Sequence, residues 1–137
     1  MADLVADANV LVASFLPADR FHQLGREYVQ EIETGDNIFH LPTLVPVEVL
    51  AAVWRRSQRQ GMALVTRAKK TLDDWEAAGN IVLYPLTGER MTVAINTAVK
   101  YRLSGADAVV AGLAEELSIP LKTFDSEIVD RFPLASP

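Results

Sequence analysis

The sequence predicts an α/β fold, a three-layer sandwich in which helices flank a mainly parallel sheet of four or five strands. Short apolar runs typical of strands alternate with longer segments whose apolar residues recur at helical spacing. No strong hairpin signal joins consecutive strands, which favours parallel strands linked by crossover helices. The 137 residues, half of them hydrophobic, can bury one core, so we expect a single domain spanning residues 1–137.

Each predicted element is bounded by a residue that caps or stops it. In the first half these elements are a strand ending at Asp7, a helix over 10–16 before Pro17, a helix between Asp19 and Gly35, a strand over 38–41 and a helix from Pro46 to Gly61. In the second half they are a helix over 62–78, a strand over 81–84, a helix from Thr87 to about Leu103, a helix from Ser104 to near Leu117 and a strand over 119–124. Residues 128–137 are too short to assign.

Composition narrows the possible classes of protein. No apolar run reaches the roughly 18 residues of a membrane span, and the first residues lack the pattern of a signal peptide, so we expect a cytoplasmic protein without membrane contact. The net charge of −5 argues against a broad surface that coats nucleic acid. With no cysteine, the chain has no disulfide framework, thiolate nucleophile or thiolate metal site.

Four acidic residues follow predicted strands or open the helices after them. Asp7 and Asp125 come at strand ends, while Glu48 and Asp107 fall in the first turns of helices. Ligands bind open parallel sheets at the carboxyl ends of the strands, so we expect all four side chains to project toward one edge. Taken singly, each acid could equally be structural, by capping a helix or turn or by favouring the positive end of a helix dipole.

Together the four carboxylates predict a divalent-cation site. Carboxylates a few ångströms apart repel one another by about 1 kcal/mol in water and several-fold more near a protein surface, and a cation reverses that cost. Because there is no cysteine and the two histidines lie far apart, the ligands would be oxygen atoms, which favours Mg²⁺ or Mn²⁺. Mg²⁺ also accepts phosphate oxygens, so the site predicts hydrolysis of a phosphoester by water.

The same residues resemble a known family, the PIN-domain nucleases, and among them the VapC-type toxins of prokaryotic toxin–antitoxin pairs. The matching segments follow the family's order over nearly the whole chain, and the last two are the most specific. They are VADANVL at 5–11, PVEV at 46–49, LSGADA at 103–108 and LKTFD at 121–125. Ala8 departs from the Ser or Thr of many members, which removes one hydroxyl and leaves the acidic positions intact.

The resemblance implies a role for each acid in a PIN-like fold. Asp7 and Asp107 would bind Mg²⁺ or Mn²⁺ directly. Glu48 would complete the acidic pocket and help to place the attacking water. Asp125 would hold a second metal ion or act through water, which makes all four acids the catalytic set.

The resemblance also implies an activity and partners. Members cleave single-stranded RNA to leave a 5′-phosphate, and the toxins pair with a small antitoxin whose tail covers the site and are commonly homodimeric. Asn9 and Thr123 match polar positions that orient the acids. The target RNA, single-stranded or structured, is not specified by these motifs.

A basic segment is a candidate path for the RNA backbone. Six of the 13 basic residues lie between positions 55 and 70, where there is no acid. We expect Arg55, Arg56 and Arg59 to guide RNA toward the acids; the alternative is a solvated helical face.

Aromatic residues at helical spacing are more typical of a core than of a surface for stacking bases. We therefore expect Phe21, Tyr28, Trp54 and Trp75 to be buried, Trp54 in a stripe with Val47, Leu50 and Ala51. Exposure of Trp54 or Tyr28 would instead favour contact with a second copy or an antitoxin. We interpret His22 and His40 as structural.

Three other interpretations of the function remain open. The first is a housekeeping RNA-processing nuclease of the same fold without an antitoxin. The second is a receiver-like phosphoacceptor domain, which needs adjacent acids after the first strand, whereas Asp7 has no acidic neighbour. The third is a binding module without catalysis, against which the four intact acids count.

Overall fold

Strands and helices alternate along the chain, in a computed structural model that describes residues 2–137. The strands are β1 (Ala2–Ala6), β2 (Asn37–Pro42), β3 (Ile81–Tyr84), β4 (Leu121–Lys122) and β5 (Ala135–Ser136). The helices are α1 (Ala8–Phe15), α2 (His22–Thr34), α3 (Leu44–Arg56), α4 (Gly61–Ala77), α5 (Gly88–Tyr101), α6 (Gly105–Leu117) and α7 (Ser126–Arg131). A 3₁₀ turn, Gln58–Gln60, links α3 to α4.

The five strands form one parallel sheet in the order β3-β2-β1-β4-β5. The predicted α/β fold with a parallel sheet flanked by helices is therefore confirmed. Strand order runs outward from β1 to β3 on one side and through β4 to β5 on the other, so it reverses between β1 and β4. Ligands of open α/β sheets bind at such a reversal, outside the carboxyl ends of the strands.

The core lies between the central strands and the helices packed on them. Val5, Phe39, Leu41 and Leu121 are fully buried in the sheet. Predicted caps also form: the Thr87 side chain accepts a hydrogen bond from Arg90 N at the start of α5, and Gly35 ends α2 with a left-handed φ of 77°. None of the helices within residues 2–137 combines the length and the apolar character that crossing a bilayer requires.

Helix α3 buries a different face from the predicted one. Its inward residues are Val45, Val49 and Val53, whereas most of the stripe expected to pack inward faces outward, with Val47 64% and Trp54 54% exposed. Of that stripe, Leu50 is half-buried against the core. The helix has apolar residues on two opposite faces, and periodicity does not distinguish them. The expected burial of Trp54 was wrong, whereas Trp75 is buried.

The ends of two predicted elements also differ. Helix α3 ends at Arg56, and Gly61 begins α4 rather than closing α3. Its φ is +26°, and a Cβ at this position would lie only 3.1 Å from the ring of Trp54, so glycine suits the site on both counts. The unassigned residues 128–137 contain most of α7 and all of β5, which pairs with β4. Both elements are short, and pairing with an existing strand is what stabilises so short an edge.

Candidate active site

Asp7 lies where strand order reverses, directly after β1. Its backbone is extended, and its side chain caps α1: Asp7 Oδ1 accepts a hydrogen bond of 2.8 Å from Ala8 N. The residue is only 8% exposed. The buried sheet therefore delivers a carboxylate to its own edge, as the sequence predicts.

Asn9 and Thr123 hold Asp7 from two sides. The fully buried Thr123 hydroxyl donates to Asp7 Oδ2 at 2.9 Å, and Asn9 Nδ2 donates to the same oxygen at 3.3 Å. Asn9 Oδ1 in turn accepts from Phe124 N at 3.0 Å, which ties the end of β4 to α1. These contacts are those expected of residues that orient a ligand carboxylate.

Asp125 is attached to the same network. Its backbone N donates to Thr123 Oγ1 at 3.1 Å, so one hydroxyl contacts both the side chain of Asp7 and the main chain of Asp125. Asp125 Oδ1 also caps α7 by accepting from Glu127 N at 2.9 Å and Ile128 N at 3.4 Å. One of its oxygens therefore has a structural role, and the other is not used in the cap.

Asp107 and Glu48 reach the site from helices. Ser104 caps α6 by accepting from Asp107 N at 3.3 Å, which sets Asp107 in the first turn. Glu48 lies one turn into α3, which follows β2 after the single residue Thr43. The short connection keeps this helix start at the carboxyl edge of the sheet.

The four acids line one open cleft of about 510 Å³. Asn9 lines it as well, whereas Thr123 lies beneath Asp7 in the core. The other lining residues are Ala8, Val12, Asp19, Val47, Ala51, Ala52, Arg55 and Arg56. Side chains that are up to 118 positions apart in the sequence thus share one cleft.

Burial and mutual repulsion raise the pKa of three of these carboxyl groups. Desolvation is the main cause at Asp7, Glu48 and Asp107. The charges of Asp107 and Asp125 raise the pKa of Asp7 further, and those of Asp7 and Asp107 do so for Glu48. Each charged acid therefore disfavours ionisation of its neighbours.

Hydrogen bonds act in the opposite direction at two of the acids. The Thr123 hydroxyl and the Ala8 amide lower the pKa of Asp7, although burial outweighs them. Ser104 lowers the pKa of Asp107, where burial again dominates and the charges of Asp125 and Glu127 raise it. The chain thus stabilises these carboxylates in part, and a cation in the cleft would supply the remaining compensation.

The donor set fits a hard divalent cation held loosely. Within residues 2–137, no three Asp, Glu or His side chains converge closely enough to enclose an ion by themselves. Mg²⁺ commonly uses only one or two protein carboxylates and keeps several waters. Carboxylate oxygens with raised pKa values around an open cleft match that mode better than a closed cage of protein ligands.

The predicted basic path is only partly at the cleft. Arg55 and Arg56 line it, whereas Arg59 lies on the 3₁₀ turn and is not among the lining residues. Further along, Lys69 and Lys70 form exposed ion pairs with Asp73 and Asp74 at 2.7 and 2.8 Å. The alternative of a solvated helical face therefore applies to α4.

Asp19 also lines the cleft, although it was not predicted as a residue of the site. Asp19 Oδ1 accepts from Phe21 N at 2.8 Å, and Oδ2 accepts from Arg56 Nη2 at 2.8 Å across the mouth of the cleft. Its position before a helix suggested only a cap, and nothing in the local pattern indicated Arg56 as a partner. The histidines contact other groups: His22 Nδ1 is 2.7 Å from Ala13 O, and His40 bridges Asp3 and Tyr84.

Comparison with known sequences agrees with this geometry. The family model described as PIN domain matches residues 4–132. The chain is also 28% identical over 131 residues to ribonuclease VapC3 of Pyrobaculum aerophilum, covering 95% of each protein. The PIN-domain match includes all four acids of the cleft, and the match to VapC3 covers nearly the whole chain.

Solved structures share the fold. The VapC20 toxin of Mycobacterium tuberculosis, described as cleaving the sarcin–ricin loop, superposes with a TM-score of 0.74 at 15% identity, covering 98% of this chain and 99% of that one. A chain of a toxin–antitoxin complex from Klebsiella pneumoniae superposes with a TM-score of 0.69 at 17% identity, covering 98% and 96%. At these identities the likeness concerns the fold.

Proposed function

Because the chain belongs to the PIN-domain family, we propose that it is a metal-dependent endoribonuclease that cleaves single-stranded RNA. The observation that carries this proposal is the shared cleft of Asp7, Glu48, Asp107 and Asp125, where burial and mutual repulsion raise three pKa values. We further propose that residues 1–137 form one nuclease domain.

In this proposal Asp7 and Asp107 hold Mg²⁺ or Mn²⁺, with Asp125 contributing directly or through water. Glu48, which lines the same cleft, would accept a hydrogen bond from the attacking water and help to place it. Asn9 and Thr123 keep Asp7 in place. When bound, the cation makes water a better nucleophile and neutralises charge on the leaving oxygen.

The RNA backbone would enter along the end of α3. Arg55 and Arg56 line the cleft from the last turn of α3 and place positive charge beside the acids, although Arg56 also pairs with Asp19. Phosphate contacts by arginine are typically bidentate and independent of base sequence. We therefore assign the path to Arg55 and Arg56 and leave Arg59 out of it.

We also propose that the chain is the toxin of a toxin–antitoxin pair and forms a homodimer. VapBC2 of Rickettsia felis and FitAB are among the solved complexes that share this fold, and VapC3 is the matched sequence relative. The exposed row of Val47, Ala51 and Trp54 runs from the cleft along α3, where it offers an antitoxin an apolar surface next to the acids.

Cleavage of a mixed RNA pool tests the nuclease. We expect the native protein to produce 5′-phosphate ends with Mg²⁺ or Mn²⁺, and to be inactive in EDTA. Asp7→Asn and Asp107→Asn should lose at least about 100-fold in rate, because each removes a ligand charge. Asp73→Asn, on the exposed face of α4, is the matched control and should cleave normally. Equal cleavage by all four proteins would mean that the acids are wrongly assigned.

Binding of the cation can be measured without RNA. Mg²⁺ or Mn²⁺ at about 100 times its dissociation constant should stabilise the folded protein by about 2.7 kcal/mol. The increase in melting temperature should be absent in Asp107→Asn and retained in Asp73→Asn.

Induced expression tests the toxin assignment: growth should stop with the native gene and continue with Asp107→Asn.

A further inference from the structure

Trp54 is an exposed aromatic side chain next to the cleft. At 54% it is the most exposed aromatic residue within residues 2–137, whereas Trp75 is only 5% exposed. Burial in the core was the argument against a surface for stacking bases, and Trp54 is not buried. Because an indole has a large apolar area, covering it releases free energy. An exposed tryptophan beside an active site therefore indicates a ligand that covers it.

Helix α3 places Trp54 at the edge of the cleft. Glu48 lies six residues earlier, which is about 9 Å along the helix axis. Ala51, one turn before Trp54, and Arg55, the next residue, both line the cleft. A strand of RNA that leaves the acids along α3 would therefore bring a neighbouring nucleotide to the indole.

Gly61 restrains the indole ring. A Cβ at this glycine would lie 3.1 Å from Cζ3 of Trp54, so the main chain at the start of α4 packs against the six-membered ring. This contact limits the rotamers that are open to Trp54. A side chain that is already ordered loses less conformational entropy when a ligand covers it. The ring is thus held ready for a flat partner.

The charges around Trp54 favour RNA as that partner. No acid occurs from Val49 to Leu72. Arg55 has no ion-pair partner within residues 2–137, whereas Arg56 pairs with Asp19. Proteins that bind single strands combine aromatic rings, on which bases stack, with positive charge for the backbone. Trp54 and Arg55 supply both groups from adjacent positions.

We propose that Trp54 stacks an unpaired base of the RNA while Arg55 contacts a neighbouring phosphate, so that Trp54 selects single-stranded over double-stranded RNA. In a duplex the bases are stacked on one another and offer no face to a side chain. Stacking tolerates any base, so this subsite distinguishes unpaired from paired RNA and does not read sequence. The proposal rests on the proposed nuclease function and deepens it. An antitoxin on the exposed row of α3 would cover Trp54, so base and antitoxin are alternative occupants.

Aromatic and aliphatic replacements of Trp54 separate stacking from apolar contact. Fluorescence anisotropy in EDTA, which prevents cleavage, measures binding of a short single-stranded RNA and of its duplex. Trp54→Leu should weaken single-strand binding about 10-fold, as expected for one stacked base, and leave duplex binding unchanged. Trp54→Phe keeps a ring and should stay within about threefold of the native protein. Ile95→Ala, at a 55% exposed position outside the cleft, is the control and should bind both RNAs normally.

Tryptophan fluorescence reports the stack directly. Of the two tryptophans only Trp54 is exposed, so single-stranded RNA should quench a large part of the emission at saturation. Quenching should be absent in Trp54→Phe, although this variant still binds, because only the buried Trp75 then emits. Inorganic polyphosphate offers phosphates without bases and should bind without quenching. Circular dichroism should show native helix content for every variant.

Saturating RNA that leaves the native emission unchanged would overturn the proposal, and so would equal single-strand affinity of the native protein and Trp54→Leu. In either case Trp54 would serve only a protein partner. Equal weakening of single-strand and duplex binding by Trp54→Leu would overturn the selection of unpaired RNA. Cleavage by a protein whose RNA does not stack on Trp54 would refute the subsite and leave the nuclease intact, whereas quenching without cleavage in Mg²⁺ would do the reverse.

Discussion

At the scale of a single residue, Thr123 determines how the site is assembled. Its hydroxyl has one proton, which it gives to Asp7, and it accepts from the backbone N of Asp125 and from Asn9 Nδ2. Asp7 and Asp125 are separated by most of the chain, yet one buried oxygen contacts both. A buried hydroxyl satisfied in this way rigidifies the groups around it.

Replacing Thr123 by valine should therefore damage both stability and activity. Thr123→Val keeps the shape but leaves Asp125 N and one lone pair of Asp7 without their partner, at a cost of about 1–3 kcal/mol in the free energy of unfolding. The lost hydrogen bond also raises the pKa of Asp7 further. We expect RNA cleavage to fall about 10- to 100-fold.

Thr123→Ser is the control, because it keeps the hydroxyl and loses a methyl group. Chemical denaturation and initial rates in Mg²⁺ measure the two effects. If valine and serine variants cleave RNA equally well, the hydroxyl does not position the acids.

At the scale of an element, α3 has two functions along its length. Its first turns bring Glu48 to the cleft, and its last turn brings Arg55 and Arg56. Basic residues at the end of a helix also complement its dipole, so part of their role is local. Asp19 fixes Arg56 at the mouth of the cleft, while Arg55 lies beside it on the same turn.

Charge reversal at Arg55 should separate the RNA path from the general basicity of the segment. If Arg55 contacts one phosphate, Arg55→Glu should weaken binding of a single-stranded RNA and reduce its log–log salt slope by about 0.7. Fluorescence anisotropy between about 50 and 200 mM salt measures both quantities.

Arg59→Glu is the matched control, since it makes the same change in charge outside the cleft. It should weaken binding less and leave the slope nearly unchanged. Equal effects of the two variants would indicate a diffuse basic surface instead of a path.

At the scale of the whole molecule, the charged acids of the cleft lower the free energy of unfolding of the metal-free protein at neutral pH. An acid whose pKa is higher in the folded state than in the unfolded state binds more protons when folded. The stability that it contributes is therefore present at low pH and is lost as pH rises from about 4 through the raised value. Asp7, Glu48 and Asp107 all have this sign.

The metal-free protein should accordingly gain stability when Glu48 is neutralised. In EDTA at neutral pH, Glu48→Gln should melt slightly above the native protein, on the order of 1 °C, because solvent screens a half-exposed group. The difference should shrink toward about pH 4, where the native carboxyl is protonated.

Melting curves in EDTA across this range measure the difference directly, and acids elsewhere cancel because both proteins carry them. Saturating Mg²⁺ should reverse the order, since the native site then binds the cation more tightly. A difference that stays constant with pH would contradict a raised pKa at Glu48.

The sequence by itself determined what depends on neighbours along the chain. Local backbone preferences were enough to predict the alternating strands and helices, the caps at Thr87 and Ser104, and the glycine at the end of α2. The acids were also recognisable as candidates, since the carboxyl ends of parallel strands share one edge.

Only the tertiary structure decided what depends on residues distant in sequence. Helices α3 and α5 each have apolar residues on more than one face, and their neighbours in space selected Val49 and Ala94 for burial while leaving Trp54 and Ile95 exposed. The same holds for the Asp19–Arg56 pair at the cleft. Helical periodicity shows that a face is apolar, but which face is buried depends on the surface that the rest of the chain packs against it.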